Sequence, residues 1–113
     1  MSELKIELLF WQGCPSYMEA MRRLREVMAE LDIKAPVKEI EVASDKEAER
    51  LRFPGSPTIR VNGVDIDPIG ADQAVVSLTC RVYRLEDGRF SGVPSKEMIY
   101  RALSQVAGNP VQA

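Results

Sequence analysis

The spacing of apolar residues predicts a strand, a helix and a second strand at the start of the chain. Leu4 to Phe10 is a largely apolar run, which is typical of a mostly buried strand. After Pro15 the apolar residues recur at helical spacing, and the helix should end before Pro36. Val37 to Val42 predicts the second strand. The helical stripe comprises Tyr17, Met18, Met21, Leu24, Val27, Met28 and Leu31.

Shorter elements are predicted in the middle of the chain. Ser44 and Glu47 have the spacing of a capping box, which predicts a short helix to about Leu51. Thr58 to Val61 and Val64 to Ile66 read as two strands, and the Asn-Gly pair between them is a strong hairpin signal. We therefore expect a mixed sheet that contains parallel and antiparallel neighbours.

Residues 67–93 form a less regular segment. Pro68 and Gly70 interrupt the pattern, and Ala71 to Val76 predicts one helical turn or more. Leu78 to Leu85 is strand-like, and Arg89 to Gly92 could pair back onto it. A last helix opens at Pro94 and Ser95 and should stop at Gly108. Its expected buried face comprises Met98, Ile99, Ala102, Leu103 and Val106.

Composition narrows the function classes. A chain of 113 residues predicts a single domain, 1–113, and a net charge of -2 argues against nucleic-acid or anionic-membrane binding. Histidine is absent, which removes Cys-His and Ser-His catalysis, and zinc is not expected with two cysteines and no histidine. The sequence shows no secretory signal pattern and no apolar run long enough to span a bilayer, so a cytoplasmic location is the expectation.

Cys14 is the first candidate for chemistry. It lies between the first strand and the first helix, and Pro15 after it is favoured at the start of a helix. Unpaired N–H groups and the helix dipole favour a thiolate at such a place. We expect Cys14 to be a partly exposed, reactive nucleophile, and the alternative is an inert residue.

The predicted element order, with Cys14-Pro15 at the first helix, resembles the thioredoxin fold. Gly55-Ser56-Pro57-Thr58 before a strand resembles the cis-proline loop of that family. The resemblance implies a three-layer α/β/α domain with a central mixed β-sheet, in which residues 67–93 are an inserted segment. It also implies a cis bond between Ser56 and Pro57, beside the nucleophilic cysteine, in a loop whose backbone pairs with the substrate.

One departure from the family pattern shapes the expected activity. Tyr17 stands where the usual Cys-x-x-Cys site has its second cysteine. The chain therefore looks closest to monothiol, glutaredoxin-like proteins. This resemblance implies a thiol-disulfide oxidoreductase in which Cys14 attacks a disulfide of a protein or small molecule. Glutathione could be a co-substrate, and no bound cofactor or metal is expected.

The expected substrate surface surrounds Cys14 and comprises Trp11, Pro15, Tyr17, Ser56, Pro57 and Thr58. Two interpretations of Tyr17 stay open, because its hydroxyl could donate to a thiolate or substrate, or its ring could only pack. Trp11 could likewise contact substrate or cover the end of the sheet.

Cys80 has two interpretations as well. Strand alternation places it on one face with Leu78 and Val82, so we expect a small buried hydrophobe. The alternative is a resolving thiol that reaches Cys14 from the inserted segment, which requires Cα atoms within about 7 Å.

Two other function classes remain alternatives to redox chemistry. One is a non-catalytic binding module that uses the thioredoxin fold. The other is soft-metal handling by Cys14 and Cys80 together, since thiolates suit such ions. Small thioredoxin-like proteins with a similar Ser-Pro-Thr and Cys-Arg-x-Tyr pattern are associated with mercury, and here the second pattern is Cys80-Arg81-Val82-Tyr83.

Overall fold

A computed structural model of the chain describes residues 4–106. Ten elements follow one another along these residues. They are β1 (Ile6–Phe10), α1 (Ser16–Glu30), β2 (Val37–Glu41), α2 (Asp45–Leu51), β3 (Thr58–Val61), β4 (Val64–Asp65), α3 (Pro68–Gln73), β5 (Tyr83–Arg84), β6 (Phe90–Ser91) and α4 (Lys96–Val106). The predicted helix stop at Gly108 lies outside the described residues.

Four strands form one mixed sheet in the order β2-β1-β3-β4. β1 is parallel to β2 and antiparallel to β3, and β4 returns antiparallel to β3. The β1-α1-β2 unit and the hairpin at Asn62 are therefore both confirmed, because each follows from a local pattern of apolar residues and a turn.

Helices cover both faces of this sheet. Alternate residues of β1, Ile6, Leu8 and Phe10, enter the main core with α1 and α4. Leu9 points the other way and packs with Val42, with Ala48 of α2 and with Phe53 in a second cluster. The period of two along a strand thus divides the apolar residues between the two cores. The α/β class of the prediction is confirmed.

Two helix starts show how local sequence sets the element bounds. The Ser44 hydroxyl accepts from the Glu47 N–H at 3.1 Å, as the capping box predicts. Asp67 caps α3 in a similar way by accepting from the Gly70 N–H at 3.2 Å. Pro68 begins α3 instead of interrupting the chain, because the first turn of a helix needs no N–H from proline.

Some predicted core positions are wrong. Met18 is 68% exposed. The buried stripe of α1 contains Ala20 instead, which lies three residues after Tyr17 and four residues before Leu24. Val106, at the end of α4, is 39% exposed, whereas Ile99 and Leu103 carry the buried face.

The strand expected from Leu78 to Leu85 is also shorter than predicted. Only Tyr83–Arg84 forms a strand, and it pairs antiparallel with Phe90–Ser91, which confirms the second hairpin. The alternation is shifted by one residue, so that Arg81 and Tyr83 are buried whereas Val82 is 65% exposed. The reason is the polar pairing of Arg81 in the interior, described below.

Candidate functional site

Cys14 lies directly before the first turn of α1. Its N–H donates to the Trp11 carbonyl at 3.0 Å, which closes a tight turn after β1. Pro15 occupies the N-cap position without a side-chain hydrogen bond to the helix, and α1 begins at Ser16. The predicted position at the helix N-terminus is confirmed, but the expected partial exposure is wrong, because Cys14 is only 1% exposed.

The buried thiol of Cys14 is directed at the proline loop. It donates to the Ser56 carbonyl oxygen, with a distance of 3.5 Å from Sγ to O. The Ser56 hydroxyl accepts from the Trp11 N–H at 3.0 Å. The Ser56–Pro57 bond is cis, as the resemblance implied. Two hydrogen bonds therefore join the strand–helix turn to the loop before β3.

The inserted segment pairs with the same loop. The Ser56 N–H donates to the Thr79 carbonyl, and the Arg81 N–H donates to the Ser56 carbonyl, both at 2.8 Å. These bonds form an isolated parallel bridge between Ser56 and Cys80. The chain itself therefore makes the backbone hydrogen bonds at Ser56 that we expected a substrate to make.

Cys80 is exposed, so the prediction of a small buried hydrophobe is wrong. Its neighbours Thr79 and Arg81 make the bridge to Ser56, and this places Cys80 beside the residue that accepts from the Cys14 thiol. A hydrogen bond with Cys14, then desolvation and the charge at Cys14, raise the pKa of the Cys80 thiol. The structure thus brings the two cysteines together, and both are free thiols.

A buried ion pair fixes the segment that carries Cys80. The Arg81 guanidinium donates to the two carboxylate oxygens of Asp65 at 2.7 and 2.9 Å, and the two side chains are only 2% and 8% exposed. It also donates to the Thr58 hydroxyl at 3.1 Å. Burial is the largest single influence and lowers the pKa of Arg81, but the hydrogen bond to Asp65 and the charges of Tyr83, Asp65 and Asp67 together outweigh it, and the pKa is raised. Arg81 is therefore a cation that links the inserted segment to β3 and β4.

Tyr83 adds a second attachment. Its ring is fully buried beneath the Arg81 guanidinium, whose central carbon lies 4.4 Å from the ring centroid. The Tyr83 hydroxyl donates to the Pro57 carbonyl, and burial raises the pKa of this hydroxyl. Residues 79–83 thus contact both Ser56 and Pro57.

Gly55 permits this close contact. Its φ is +120°, and a Cβ built on it would lie 2.9 Å from the Arg81 Cα and 3.0 Å from the Arg81 nitrogen. Glycine is required here both for its backbone conformation and for the space that it leaves.

The other predicted site residues surround Cys14 in different ways. Pro15 is exposed beside it, whereas Pro57 and Thr58 are buried under residues 79–83. The Tyr17 ring stacks on Phe10, with centroids 4.3 Å apart, and packs against the main core. The contact that the structure gives Tyr17 is therefore a packing contact. A role of these residues in binding substrate stays a prediction.

Trp11 is half-buried and packs against the second core cluster at the end of β1. Its indole also lies close over Gly13. The ring therefore covers the turn that leads into Cys14, in addition to any contact with substrate.

Arg81, Asp65 and Tyr83 form the part of the site that the sequence analysis missed. Arg81 and Tyr83 belong to the Cys-Arg-x-Tyr pattern, but the pattern does not reveal that Asp65 is their partner. An arginine within an otherwise strand-like run was the available signal, because a buried arginine requires an acidic partner.

In residues 4–106 no group of three or more side chains from Cys, Asp and Glu is placed to hold an ion. Within the same residues, no helix has the length and apolar character to cross a membrane.

The chain is a mixed-sheet α/β domain in which two free cysteines lie on either side of one loop residue. A family model described as a domain of unknown function (DUF2703) matches residues 15–103, which is most of the chain. The chain therefore belongs to this family. The match includes Ser56 and Cys80 and begins one residue after Cys14. No curated protein and no solved structure matches the chain.

Proposed function

We propose that this protein is a thioredoxin-like thiol-disulfide redox protein in which Cys14 and Cys80 form the redox pair. The strand order β2-β1-β3-β4, the helices on both faces and the cysteine at the start of α1 support the thioredoxin-like part of this proposal. Cys80 replaces the external thiol of the monothiol mechanism expected from the sequence.

One observation carries the proposal. The Ser56 carbonyl accepts from both the Cys14 thiol and the N–H of Arg81, the residue after Cys80. The Ser56 carbonyl therefore contacts both the Cys14 thiol and the backbone next to Cys80. Neither cysteine needs a large rearrangement of the sheet to reach the other, because both are attached to the same loop.

The chemistry is an exchange between two pairs of sulfurs. When the protein is oxidised, Cys14 and Cys80 lose two electrons and two protons and form one disulfide bond, while a partner disulfide is reduced to two thiols. The reverse reaction oxidises a partner dithiol. Cys14 lies directly before α1, and the N-terminus of a helix is a place where negative charge is favourable.

Intact mass after mild oxidation tests this function. Purified protein is treated with bis(hydroxyethyl) disulfide, a small uncharged oxidant, and then with excess iodoacetamide under denaturing conditions. We expect wild type to lose two hydrogens and to resist alkylation. Cys14→Ser and Cys80→Ser are the matched controls, since neither can form the internal bond.

Two results would overturn the proposal. One is a wild-type protein that takes an alkyl group on both cysteines after oxidation. The other is a mixed disulfide that persists on Cys14 in wild type, which would restore the monothiol mechanism. A partner that binds Cys14→Ser and wild type equally, with no redox change, would favour the binding module.

The closeness of the two cysteines also favours a second candidate function, the capture of a thiophilic metal ion by both thiolates. Titration with Hg²⁺ tests it. Weaker binding in each of Cys14→Ser and Cys80→Ser would support a shared site, whereas unchanged binding without Cys80 would exclude one.

A further inference from the structure

We propose that Cys80, and not Cys14, is the sulfur that bonds to the substrate, and that Cys14 is the internal thiol that makes or releases the bond to Cys80. This inference rests on the proposed redox function. It reverses the roles expected from the sequence, in which the cysteine at the helix N-terminus attacks and the second cysteine resolves.

Exposure is the first argument. Cys14 is 1% exposed, and its thiol points to the Ser56 carbonyl, in the interior. Cys80, which forms the backbone bridge with Ser56, is exposed. Thiol exchange depends on access of the incoming sulfur to the sulfur under attack. A substrate therefore has direct access to Cys80, whereas Cys14 is closed to it in this structure.

The surface around the two sulfurs agrees with this assignment. A groove of about 440 Å³ contains Cys80 and is bordered by Val82, Arg84 and Phe90, and Cys14 is not part of its wall. Val82 and Phe90 are 65% and 71% exposed. This groove thus adjoins Cys80 and not Cys14.

The bonds can be followed atom by atom in the oxidising direction. A substrate thiolate attacks the Cys80 sulfur, the Cys14–Cys80 bond breaks, and Cys14 leaves as a thiolate at the start of α1. The second thiolate of the substrate then attacks the substrate sulfur that is bonded to Cys80. A disulfide forms within the substrate, and Cys80 is released and takes a proton from water. The substrate dithiol is oxidised by two electrons as the protein disulfide is reduced.

The electrostatics of the reduced pair are consistent with these roles. A hydrogen bond with Cys14 is the main cause that raises the pKa of Cys80. Cys14 is the sulfur that lies directly before α1, and the N-terminus of a helix is a place where negative charge is favourable. A sulfur that carries charge easily is the better leaving group.

A direct test is to find which cysteine carries the substrate. Oxidised wild type is treated briefly with a limiting amount of mercaptoethanol, quenched with acid, alkylated under denaturing conditions and mapped by peptide mass. We expect mercaptoethanol on Cys80 and the alkyl group on Cys14. The opposite placement, or an equal distribution, would overturn the inference while leaving the redox pair intact.

Single variants give a second measurement. With bis(hydroxyethyl) disulfide, Cys14→Ser should form its adduct at Cys80 about tenfold or more faster than Cys80→Ser forms one at Cys14, because access differs. Equal rates, or a faster Cys80→Ser, would contradict the assignment. If wild type forms no internal disulfide in the mass experiment above, the proposed function itself fails, which is a different result from reversed placement.

Discussion

The carboxylate of Asp65 in β4 holds the guanidinium of Arg81 by two hydrogen bonds inside the protein. Arg81 follows Cys80 directly, and its N–H donates to the Ser56 carbonyl that also accepts from Cys14. The position of the exposed cysteine relative to the buried one therefore depends on an ion pair that contains neither of them.

Asp65→Ala should destabilise the protein strongly. It leaves a buried guanidinium without its partner, and loss of one member of such a pair costs about 3–5 kcal/mol. Urea unfolding measures the change in the free energy of unfolding. Asp87→Ala is the matched control, because Asp87 pairs with Arg89 at the surface, with 54% and 76% exposed side chains. A surface pair contributes about 1 kcal/mol or less.

The same variant tests the link to the cysteines. Under conditions in which Asp65→Ala remains folded, we expect slower formation of the Cys14–Cys80 disulfide than in wild type, because Arg81 no longer anchors the segment. A protein with wild-type stability and wild-type oxidation rate would show that the ion pair does not position Cys80.

Tyr83→Phe should have a smaller effect. It keeps the ring beneath Arg81 but removes the hydroxyl that donates to the Pro57 carbonyl. A buried acceptor left unpaired costs about 1–3 kcal/mol. Thermal or urea unfolding measures this loss, and Tyr100→Phe is the control, since Tyr100 is 45% exposed. Equal effects of the two variants would contradict a stabilising role for the Tyr83 hydroxyl.

Local patterns were sufficient to predict most of the sheet and the place of Cys14. The apolar run of β1, the helical stripe after Pro15 and the Asn-Gly turn each depend on residues close in sequence. The position of Cys14 follows from the strand–helix junction alone. The turn before α1 is therefore predictable from the residues next to it in the sequence.

The failures concern residues whose partners are distant in sequence. Alternation placed Cys80 and Val82 inside, but Arg81 is buried because Asp65, sixteen residues earlier, neutralises it. The hydrophobic pattern of a short segment cannot anticipate such a pair, and a shift of one residue exchanges the two faces. The same shift explains why Cys80 is an exposed neighbour of Cys14 and not a core residue.

Removal of the Cys14 sulfur should make Cys80 react at lower pH. Hydrogen bonding to Cys14 is the largest cause that raises the pKa of Cys80. Only the thiolate is alkylated, and a raised pKa lowers the thiolate fraction at a given pH. Cys14→Ala should therefore shift the pH dependence of iodoacetamide labelling at Cys80 towards the free-thiol value of about 8.5.

The reference for this measurement is wild type, with labelling at each cysteine read separately by peptide mass. Cys14→Ala in urea provides the unfolded control, in which Cys80 should behave as a free thiol. A labelling curve that is unchanged in folded Cys14→Ala, or that moves to higher pH, would mean that Cys14 does not influence the Cys80 thiol.

Gly55→Ala should disturb the contact between the two cysteine-bearing segments. Both Gly55 and Gly88 have positive φ, +120° and +89°, but only Gly55 has neighbouring backbone within 4 Å, the Arg81 Cα at 2.9 Å from a built Cβ. Gly88→Ala is therefore a control for backbone conformation alone. Because Arg81 is displaced, the free energy of unfolding of Gly55→Ala, measured in urea, should fall by about 1–3 kcal/mol more than that of Gly88→Ala. Internal disulfide formation should also be slower in Gly55→Ala. If the two variants lose the same stability and oxidise at the same rate, close approach at Gly55 is not what brings Cys80 to Cys14.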